Sequence, residues 1–401
     1  MEPMTIPPLK SKRPPKPKPQ NPIESTIRSF FHPLPSTLFL EISASIDSLI
    51  STSPKRWVTY TPMLLLPSGS FSSSHWTSLF SLLTTSQKED LFTRILHSVS
   101  KKEGKKLTHL AINAGIPLHE KEKGREKEDG KEEENILRSP SGLLMLYGDF
   151  GPDFKGEEPT EEDFEDAFWV STKQNGIEQI WAPRWTMFSR GNVKEKARLL
   201  GFHDAGPTAS ANGKHIGKEE RRNWTAVDLY AGIGYFVFSY IGMGVARVVG
   251  WELNGWSVEG LRRGAVANGW GIRVVRKGEL IEYFGDERIV VFLESNVEAE
   301  QRLQSMKGFG TVKHVNCGFL PTSEPTWRKA MNILGEDGWL HLHENVGIAD
   351  VERRKGEIEE MLRIWLKERV DERIVTVEHV EFVKTFAPAV WHCVFDVYLS
   401  T

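Results

Sequence analysis

Cysteine and long apolar runs are scarce or absent in this sequence, and each lack excludes a class of protein. The 401 residues include two cysteines, Cys317 and Cys393, far apart in the chain, so we expect a reducing compartment and no disulfide framework. No run of about eighteen apolar residues occurs, as a membrane span would require, and the first residues lack the apolar core of a signal peptide. We therefore expect a cytoplasmic protein without a membrane partner.

The sequence also lacks a large excess of charge of either sign. The chain has 51 Lys and Arg against 54 Asp and Glu, a formal net charge of -3. Such a balance neither favours nor excludes nucleic acid, and the local distribution of charge must decide.

The strongest local motif is a glycine turn at the end of a hydrophobic strand. It reads VDLYAGIGYF, residues 227–236, with Asp228 ending the strand and Gly232 and Gly234 in the turn. A dinucleotide fingerprint needs another glycine three residues after Gly234, where this chain has Val237. The motif therefore disfavours NAD and favours S-adenosylmethionine.

A second strand, RVVGWE, ends about twenty residues later in Glu252. A carboxylate there can accept hydrogen bonds from both ribose hydroxyls of a nucleotide cofactor. Strands and helices then alternate to residue 369, and two long strands close the chain around Pro388 with too short a link for a parallel crossover. We predict an α/β fold: a doubly wound, mostly parallel, seven-stranded sheet with a terminal antiparallel hairpin.

Composition divides the chain into five predicted segments. They are a disordered tail rich in Pro and Lys (residues 1–26), an N-terminal region without an assigned role (27–104), a small α+β domain with a charged insertion at 119–135 (105–203), a connector (204–222) and a Rossmann-like catalytic domain (223–401). Residues 276–288 are interpreted as a loop insertion in the last domain.

Cations gather where a helix is predicted to begin, next to a capping-box-like Asn192 and Glu195. The cations are Arg184, Arg190, Lys194, Lys196 and Arg198. A helix start already favours anions, so a carboxylate or phosphate partner is one interpretation and a solvated face is the other.

Eight stretches together resemble the tRNA wybutosine-synthesising protein 2 family, a sister group of the tRNA guanosine N1-methyltransferases. They are THLAINAGIP, ILRSPSGLLMLYGDFGP, QNGIEQIWAPRWTMFSRGNVKEKARLL, VDLYAGIGYF, WELNGWSVEGLRRGAVANG, VNCGFLPTSEPTW, GWLHLHENV and FAPAVWHCVFDVYL. They occur in family order between residues 108 and 399, so the resemblance leaves the N-terminal quarter of the chain uncovered.

The resemblance implies a class I S-adenosylmethionine-dependent fold and an unusual transfer. The 3-amino-3-carboxypropyl group of S-adenosyl-L-methionine would move to C7 of 4-demethylwyosine, at the purine 3′ of the anticodon of tRNA-Phe, and methylthioadenosine would leave. The small α+β domain would contribute cofactor and tRNA contacts. A monomer without metal is expected.

The family's cofactor residues carry over to named positions. Ser189 and Lys196 match the groups that hold the methionine carboxylate, and Glu252 matches the ribose-binding acid. Ser295 and Asn296 match the adenine-contacting pair, although this chain has ESNV where the family has Gly-Asp-Asn. Catalysis by positioning demands no acid or base, and the candidates for direct participation are Asn316 and Arg184.

Two other functions remain as alternatives. The sister methyltransferases carry Asn-Leu-Pro after the fourth strand, whereas VNCGFLPTSE here separates Asn316 from Pro321, which favours aminocarboxypropyl transfer over methyl transfer. A non-catalytic RNA-binding subunit with the same fold is the other alternative, and the intact glycine turn and Glu252 oppose it.

Five further residues invite chemical roles. His341 and His343 share one face of a strand, yet no third ligand lies nearby, so a structural or substrate-side pair is favoured over zinc. Cys317 lacks a paired His and acid and is interpreted as a small buried hydrophobe. Trp181 and Trp185 flank Arg184 and are candidates for stacking on RNA bases.

Overall fold

The computed structural model describes residues 20–113, 119–120, 133–134, 142–154, 156, 158–204, 215–283 and 285–401. The helices are α1 (Pro22–Phe31), α2 (Ser36–Glu41), α3 (Ile46–Ser51), α4 (Ser74–Leu82), α5 (Thr85–Glu103), α6 (Glu161–Asp166), α7 (Val193–Leu200), α8 (Lys218–Arg221), α9 (Val237–Met243), α10 (Gly255–Ala267), α11 (Ala299–Ser305), α12 (Trp327–Ile333) and α13 (Val351–Glu368). None of these described helices has the length and apolar character that crossing a membrane requires.

The strands form two larger sheets and two pairs. They are β1 (Val58–Tyr60), β2 (Met63–Leu66), β3 (His109–Ile112), β4 (His119–Glu120), β5 (Glu133–Glu134), β6 (Leu144–Tyr147), β7 (Val170–Gln174), β8 (Ile177–Trp181), β9 (Trp224–Asp228), β10 (Arg247–Glu252), β11 (Ile272–Arg276), β12 (Ile289–Leu293), β13 (Thr311–Cys317), β14 (Gly338–Gly347), β15 (Ile374–Ala387) and β16 (Val390–Ser400).

The larger sheet has the order β11-β12-β10-β9-β13-β14-β16-β15. Every neighbouring pair is parallel except those that involve β16, which runs antiparallel to both β14 and β15. The predicted fold class and terminal hairpin are confirmed, but the sheet has eight strands where seven were predicted. The additional strand is β11, a short edge strand whose sequence IRVVR alternates charged and apolar residues just before the predicted loop insertion.

Two apolar cores cover the two faces of this sheet. Leu303 of α11, Ala330 of α12 and Ile358 of α13 belong to one core, and Phe238 of α9 and Leu261 of α10 belong to the other. The chain leaves β9 toward β10 on one side and β13 lies on the other, so the strand order reverses at β9. Ligands of open α/β sheets bind at such a reversal, beyond the carboxyl ends of the strands.

The N-terminal part of the chain forms a separate four-stranded sheet with the order β1-β2-β3-β6. Because β2 and β3 pair in parallel, the predicted boundary between residues 104 and 105 falls inside one sheet and is corrected. The alternating run from 107 to 112 pairs with a strand 46 residues earlier, Met63 with His109, which composition does not reveal.

The predicted tail also ends earlier than expected. Pro22 begins α1, the Asn21 side chain accepts a hydrogen bond from the Ile23 backbone N–H, and Ile23 is fully buried. An Asn cap followed by proline at the first helical position is a strong helix start, so residues 22–26 belong to the folded part. Residues 1–19 lie outside the described residues.

Two other predicted segments are described only in part. In the charged insertion, β4 pairs with β5, and the remainder of 119–135 lies outside the described residues. In the connector, residues 205–214 lie outside them, while α8 forms a helical turn whose Arg221 is buried and paired with Asp204. The last part of the predicted connector is therefore folded.

A buried ion-pair network ties α7 to β16. Arg198 pairs with both Glu195 and Asp396, and the His341 ring lies 2.7 Å from an Asp396 oxygen. Burial alone would raise the pKa of Asp396, but Arg198 and His341 hold that pKa well below its ordinary value. The predicted capping box does not form, because Asn192 makes no side-chain cap and the Glu195 carboxylate is taken by Arg198.

We expect Asp396→Asn to lower the free energy of unfolding by about 3–5 kcal/mol at pH 7, because it leaves a buried guanidinium without one partner. A carboxyl whose pKa is depressed on folding stabilises the protein above its unfolded pKa, so the difference should shrink as pH falls below about 4. Urea unfolding across pH measures it. The exposed Asp90 pair with Arg94 supplies the control, Asp90→Asn, and an equal loss in both variants would contradict the expectation.

Candidate functional site

The glycine turn has the backbone geometry that the sequence predicts. Gly232 has φ 53° and Gly234 has φ 90°, in the left-handed region that favours glycine. A Cβ on Gly232 would lie 3.0 Å from ring atoms of Tyr235, and one on Gly234 would lie 2.6 Å from the Phe238 ring. Side chains at either position would therefore move the rings that shape the turn.

Glu252, at the end of β10, faces this turn. One carboxylate oxygen accepts the Gly232 backbone N–H at 2.9 Å, and the other accepts the Asn254 backbone N–H at 2.8 Å. Burial raises the pKa of Glu252, and these backbone donors oppose part of the rise. The carboxylate thus braces the turn while its remaining lone pairs are open to hydroxyl donors.

A cavity of about 240 Å³ lies over the turn. Gly232, Trp251 and Glu252 line it near the strand ends, and Tyr230 and Phe319, whose rings stack 5.1 Å apart, line it as well. We call this the turn cavity. It brings four of the predicted site residues together: Gly232, Glu252, Ser189 and Asn296.

Polar groups suited to an amino acid lie in the same cavity. The Lys384 ammonium on β15 donates to the Ser189 hydroxyl at 3.2 Å, and the Ser189 backbone N–H donates to the Tyr235 hydroxyl at 3.1 Å. Asn192 also lines the turn cavity, and its buried side-chain oxygen has no partner among the described residues. A cation, a hydroxyl and an open acceptor together match a carboxylate beside an ammonium.

Lys196 is not brought to the turn cavity. It is 3% exposed, and its ammonium donates to the side-chain oxygens of Gln174 at 2.6 Å and Gln179 at 2.9 Å. Burial lowers the pKa of Lys196 to about 7. The lysine lies against the Tyr235 ring, 5.5 Å from its centroid. Lys384, and not Lys196, is the lysine that lines the turn cavity in this structure, and the expectation that Lys196 meets the carboxylate stays a prediction.

The predicted adenine pair divides between two cavities. Asn296 lines the turn cavity and donates from its amide to the Leu229 carbonyl at 2.8 Å. Ser295 accepts the Val297 backbone N–H at 3.3 Å and lines an adjoining cavity of about 930 Å³. Leu253 lines both cavities, so the two positions remain neighbours around one opening.

Asp228 and Asn316 lie behind the turn and line neither of these cavities. The Asn316 amide donates to Asp228 at 3.0 Å, Tyr230 N–H donates to the same carboxylate oxygen at 3.1 Å, and His343 lies 3.2 Å from the Asn316 carbonyl oxygen. Burial raises the pKa of Asp228 to about 6, against these donors. Both residues position the turn, and Asn316 is not presented as a catalytic group.

Arg184, the other catalytic candidate, also has structural partners. Its guanidinium donates to the carbonyls of Gly151 and Pro152 and pairs with Asp153, so it orders the loop after β6. The side chains of Arg190 and Lys194 are exposed, and neither side chain has a hydrogen bond or an ion pair to a described residue. Of the five predicted cations, these two are open to an external anion.

The other singled-out residues are buried. His341 contacts His314 and Asp396, and His343 contacts His392. Within the described part of the chain, no group of three or more His, Cys, Asp or Glu side chains is arranged to hold a metal ion. Burial raises the pKa of the Cys317 thiol to about 12, which keeps it protonated.

Both tryptophans proposed to stack on RNA bases pack against other parts of the protein. Trp181 is 2% exposed and stacks on Phe188 with ring centroids 4.4 Å apart. Trp185 stacks on Trp256 at 5.4 Å and holds the Arg184 guanidinium 4.8 Å from its ring centroid. Their ring faces therefore already have protein partners.

Three polar residues of the turn cavity received no ligand-binding role from the sequence. Tyr235 lies within the quoted glycine motif, and Asn192 lies at the predicted helix start, so both were close to recognised patterns. Lys384 stands 195 positions from Ser189, in a strand at the far edge of the sheet. No local pattern connects them.

Comparisons with known proteins agree with this architecture. No protein-family model matches the chain. It is 41% identical over 348 residues to tRNA wybutosine-synthesizing protein 2 of Schizosaccharomyces pombe, covering 86% of this chain and 72% of that one. It is 32% identical over 396 residues to the Saccharomyces cerevisiae protein of the same name, covering 88% and 75%.

A solved structure supports the fold independently. Pyrococcus horikoshii TYW2 in complex with MeSAdo superimposes with a TM-score of 0.54 at 18% identity, covering 94% of this chain and 99% of that one. At this identity the likeness shows the fold, and the identity to the two fungal proteins over most of their length carries the family. The chain belongs to the tRNA wybutosine-synthesizing protein 2 family.

Proposed function

We propose that this protein transfers the 3-amino-3-carboxypropyl group of S-adenosyl-L-methionine to C7 of 4-demethylwyosine in tRNA-Phe and releases methylthioadenosine. One observation carries the proposal for this chain: a single cavity has a braced carboxylate, Glu252, and also an ammonium, a hydroxyl and an open acceptor from Lys384, Ser189 and Asn192. Family membership supports the choice of reaction.

The residues present fit both ends of S-adenosylmethionine. Glu252 would accept the ribose hydroxyls, and Asn296 and Ser295, which line two adjoining cavities, would contact the adenine. Lys384 and Ser189 would hold the methionine carboxylate, and the Asn192 oxygen would accept from the amino group. Lys196 would act indirectly, by packing against Tyr235, whose hydroxyl holds Ser189.

Bound S-adenosylmethionine supplies a sulfonium that activates each carbon attached to it. The chain's own contribution is to fix the two ends of the molecule, so that position decides which carbon faces the base. Asp228 and Asn316 hold the turn beneath the ribose site, and Tyr235 bridges Ser189 to the Met187 carbonyl. These residues prevent other placements of S-adenosylmethionine, and none of them exchanges a proton with it.

Chromatography of the spent cofactor tests the reaction. With tRNA-Phe carrying the tricyclic wyosine precursor, we expect methylthioadenosine in a one-to-one ratio with modified tRNA, and no turnover on tRNA-Phe with plain guanosine. Adenosylhomocysteine, or turnover on the unmodified tRNA, would instead identify a guanosine N1-methyltransferase. Binding of tRNA without either product would identify a non-catalytic RNA-binding subunit.

The tRNA partner gives the proposal a cellular setting. A protein that modifies tRNA-Phe in this way would act in the cytoplasm, and we propose that it works as a monomer. Cell fractionation and sedimentation of the protein alone and with tRNA check these two points.

A further inference from the structure

A third cavity, of about 540 Å³, lies between the N-terminal sheet and the segment that precedes α7. One side comes from residues between 56 and 67, in and around β1 and β2, and the other from Trp181, residues 186–188 and Arg190. We call it the interdomain cavity. Its volume is in the range of about 300–1,000 Å³ typical of small-molecule sites. None of the residues proposed to contact the cofactor lines it.

The interdomain cavity adjoins the turn cavity. Thr186 and Met187 line both, and Thr186 is fixed by a 2.9 Å contact between its hydroxyl and that of Ser257. Arg190 lines the interdomain cavity and directly follows Ser189, which lines the turn cavity beside Lys384. The interdomain cavity therefore lies next to the amino-acid end of the proposed cofactor site.

Aromatic rings form much of its lining. Tyr60, Trp181 and Phe188 pack together, with Tyr60 4.8 Å from Trp181 and 5.5 Å from Phe188 between ring centroids. Trp57 is partly exposed, and its indole N–H donates to Glu103 at 3.2 Å. Because Tyr60 and Trp181 are buried, the partly exposed rings of Trp57 and Phe188 are the ones that a planar, unpaired nucleobase can meet.

Two guanidinium groups supply the matching charge. Arg56 and Arg190 both line the cavity and are exposed, and neither has a hydrogen bond or ion pair to another residue of the described ranges. Burial raises the pKa of Tyr60, and the nearby Arg190 charge opposes part of that rise. Cations beside aromatic rings suit a nucleotide, with the base against the rings and phosphates on the arginines.

We propose that the interdomain cavity binds an unpaired nucleotide that neighbours the reacting purine of the tRNA. This inference rests on the proposed function and gives a role to the N-terminal region, which supplies Arg56, Trp57 and Tyr60. Thr186 and Met187 form a wall shared by the two cavities, so a nucleotide in the interdomain cavity is separated from the cofactor by one stretch of chain. The interdomain cavity therefore holds the neighbouring base while the reacting purine enters the turn cavity.

Variants separate base contacts from phosphate contacts. Arg56→Gln and Arg190→Gln should each lower the slope of log affinity for tRNA against log salt by about 0.7. Trp57→Ala should raise KM for tRNA about fivefold or more. In both cases kcat and the Kd for S-adenosylmethionine should stay unchanged, which also shows that the variants fold.

A fluorescent base tests contact directly. We expect 2-aminopurine, placed singly at each nucleotide flanking the reacting purine, to be quenched on binding at one position and to lose that quenching in Trp57→Ala. Arg94→Gln, an exposed arginine on α5 in the same region, is the matched control and should leave the salt slope unchanged.

Two results would overturn the inference. An unchanged salt slope and KM would show that no RNA enters the interdomain cavity, and a fall in kcat at unchanged KM would show that it holds the reacting purine itself. Salt slopes and quenching are binding measurements, so they remain informative if wild-type protein releases no methylthioadenosine. Failure of the proposed function is thereby distinguished from failure of this inference.

Discussion

Glu252→Gln is expected to weaken S-adenosylmethionine binding about ten- to a hundredfold. The two carboxylate oxygens each accept one backbone N–H, from Gly232 and from Asn254. A glutamine offers one acceptor oxygen, so its NH₂ group must face one of these donors and the turn must shift. The bonds to the ribose hydroxyls also lose their charge assistance, which weakens each by about 1 kcal/mol.

Calorimetry with S-adenosylmethionine measures this effect. Glu352→Gln, at an exposed position in the first turn of α13, is the control and should bind as wild type does. Glu252→Asp keeps the charge but shortens the side chain, so it should fall between wild type and Glu252→Gln. Equal affinity in Glu252→Gln and wild type would show that the ribose does not bind this carboxylate.

The catalytic fold was predictable because its pattern is local. The strand before Asp228, the glycines after it and the acid at Glu252 occupy about 26 consecutive positions, and their spacing follows from one strand, one turn and the next strand. The closing hairpin was predictable for a similar reason, because a link of two residues between long strands permits only antiparallel pairing. Both were confirmed.

Errors occurred where pairing is non-local or where a short segment has mixed character. The edge strand β11 alternates Arg with Val and Ile, which a solvated loop tolerates equally well. The boundary at 104 failed because β3 pairs with β2 across the whole of α4 and α5. A change in composition along the chain indicates a linker, but it does not show which strands pair in a sheet.

Charge gave the least reliable guidance in the candidate site. Five cations near one helix start looked equivalent in the sequence, yet Arg184 and Arg198 have internal partners and Lys196 is buried between two glutamines. The lysine that does line the turn cavity comes from β15. Spacing in the sequence gives the position of a cation along the chain. Whether its side chain contacts solvent, a ligand or other residues depends on how the chain packs.

The two lysines give the other large expected effect. Lys384→Met should slow aminocarboxypropyl transfer about a hundredfold while weakening S-adenosylmethionine binding by less, because a loosened methionine arm misplaces the reacting carbon and about 1 Å of misplacement can cost that much in rate. Single-turnover rates and calorimetric Kd values separate the two quantities. Burial lowers the pKa of Lys384, so wild-type affinity should fall with rising pH earlier than an ordinary lysine would dictate.

Lys196→Met is the matched comparison, since it makes the same change at the lysine that packs against Tyr235. It leaves the oxygens of Gln174 and Gln179 without their donor, which should cost about 1–3 kcal/mol of folding stability each. Its Kd for S-adenosylmethionine should stay within about threefold of wild type, whereas Lys384→Met should leave the melting temperature nearly unchanged. If Lys196→Met instead produces the larger loss of affinity at unchanged stability, Lys196 holds the methionine carboxylate and its ammonium must turn toward the turn cavity when the ligand binds.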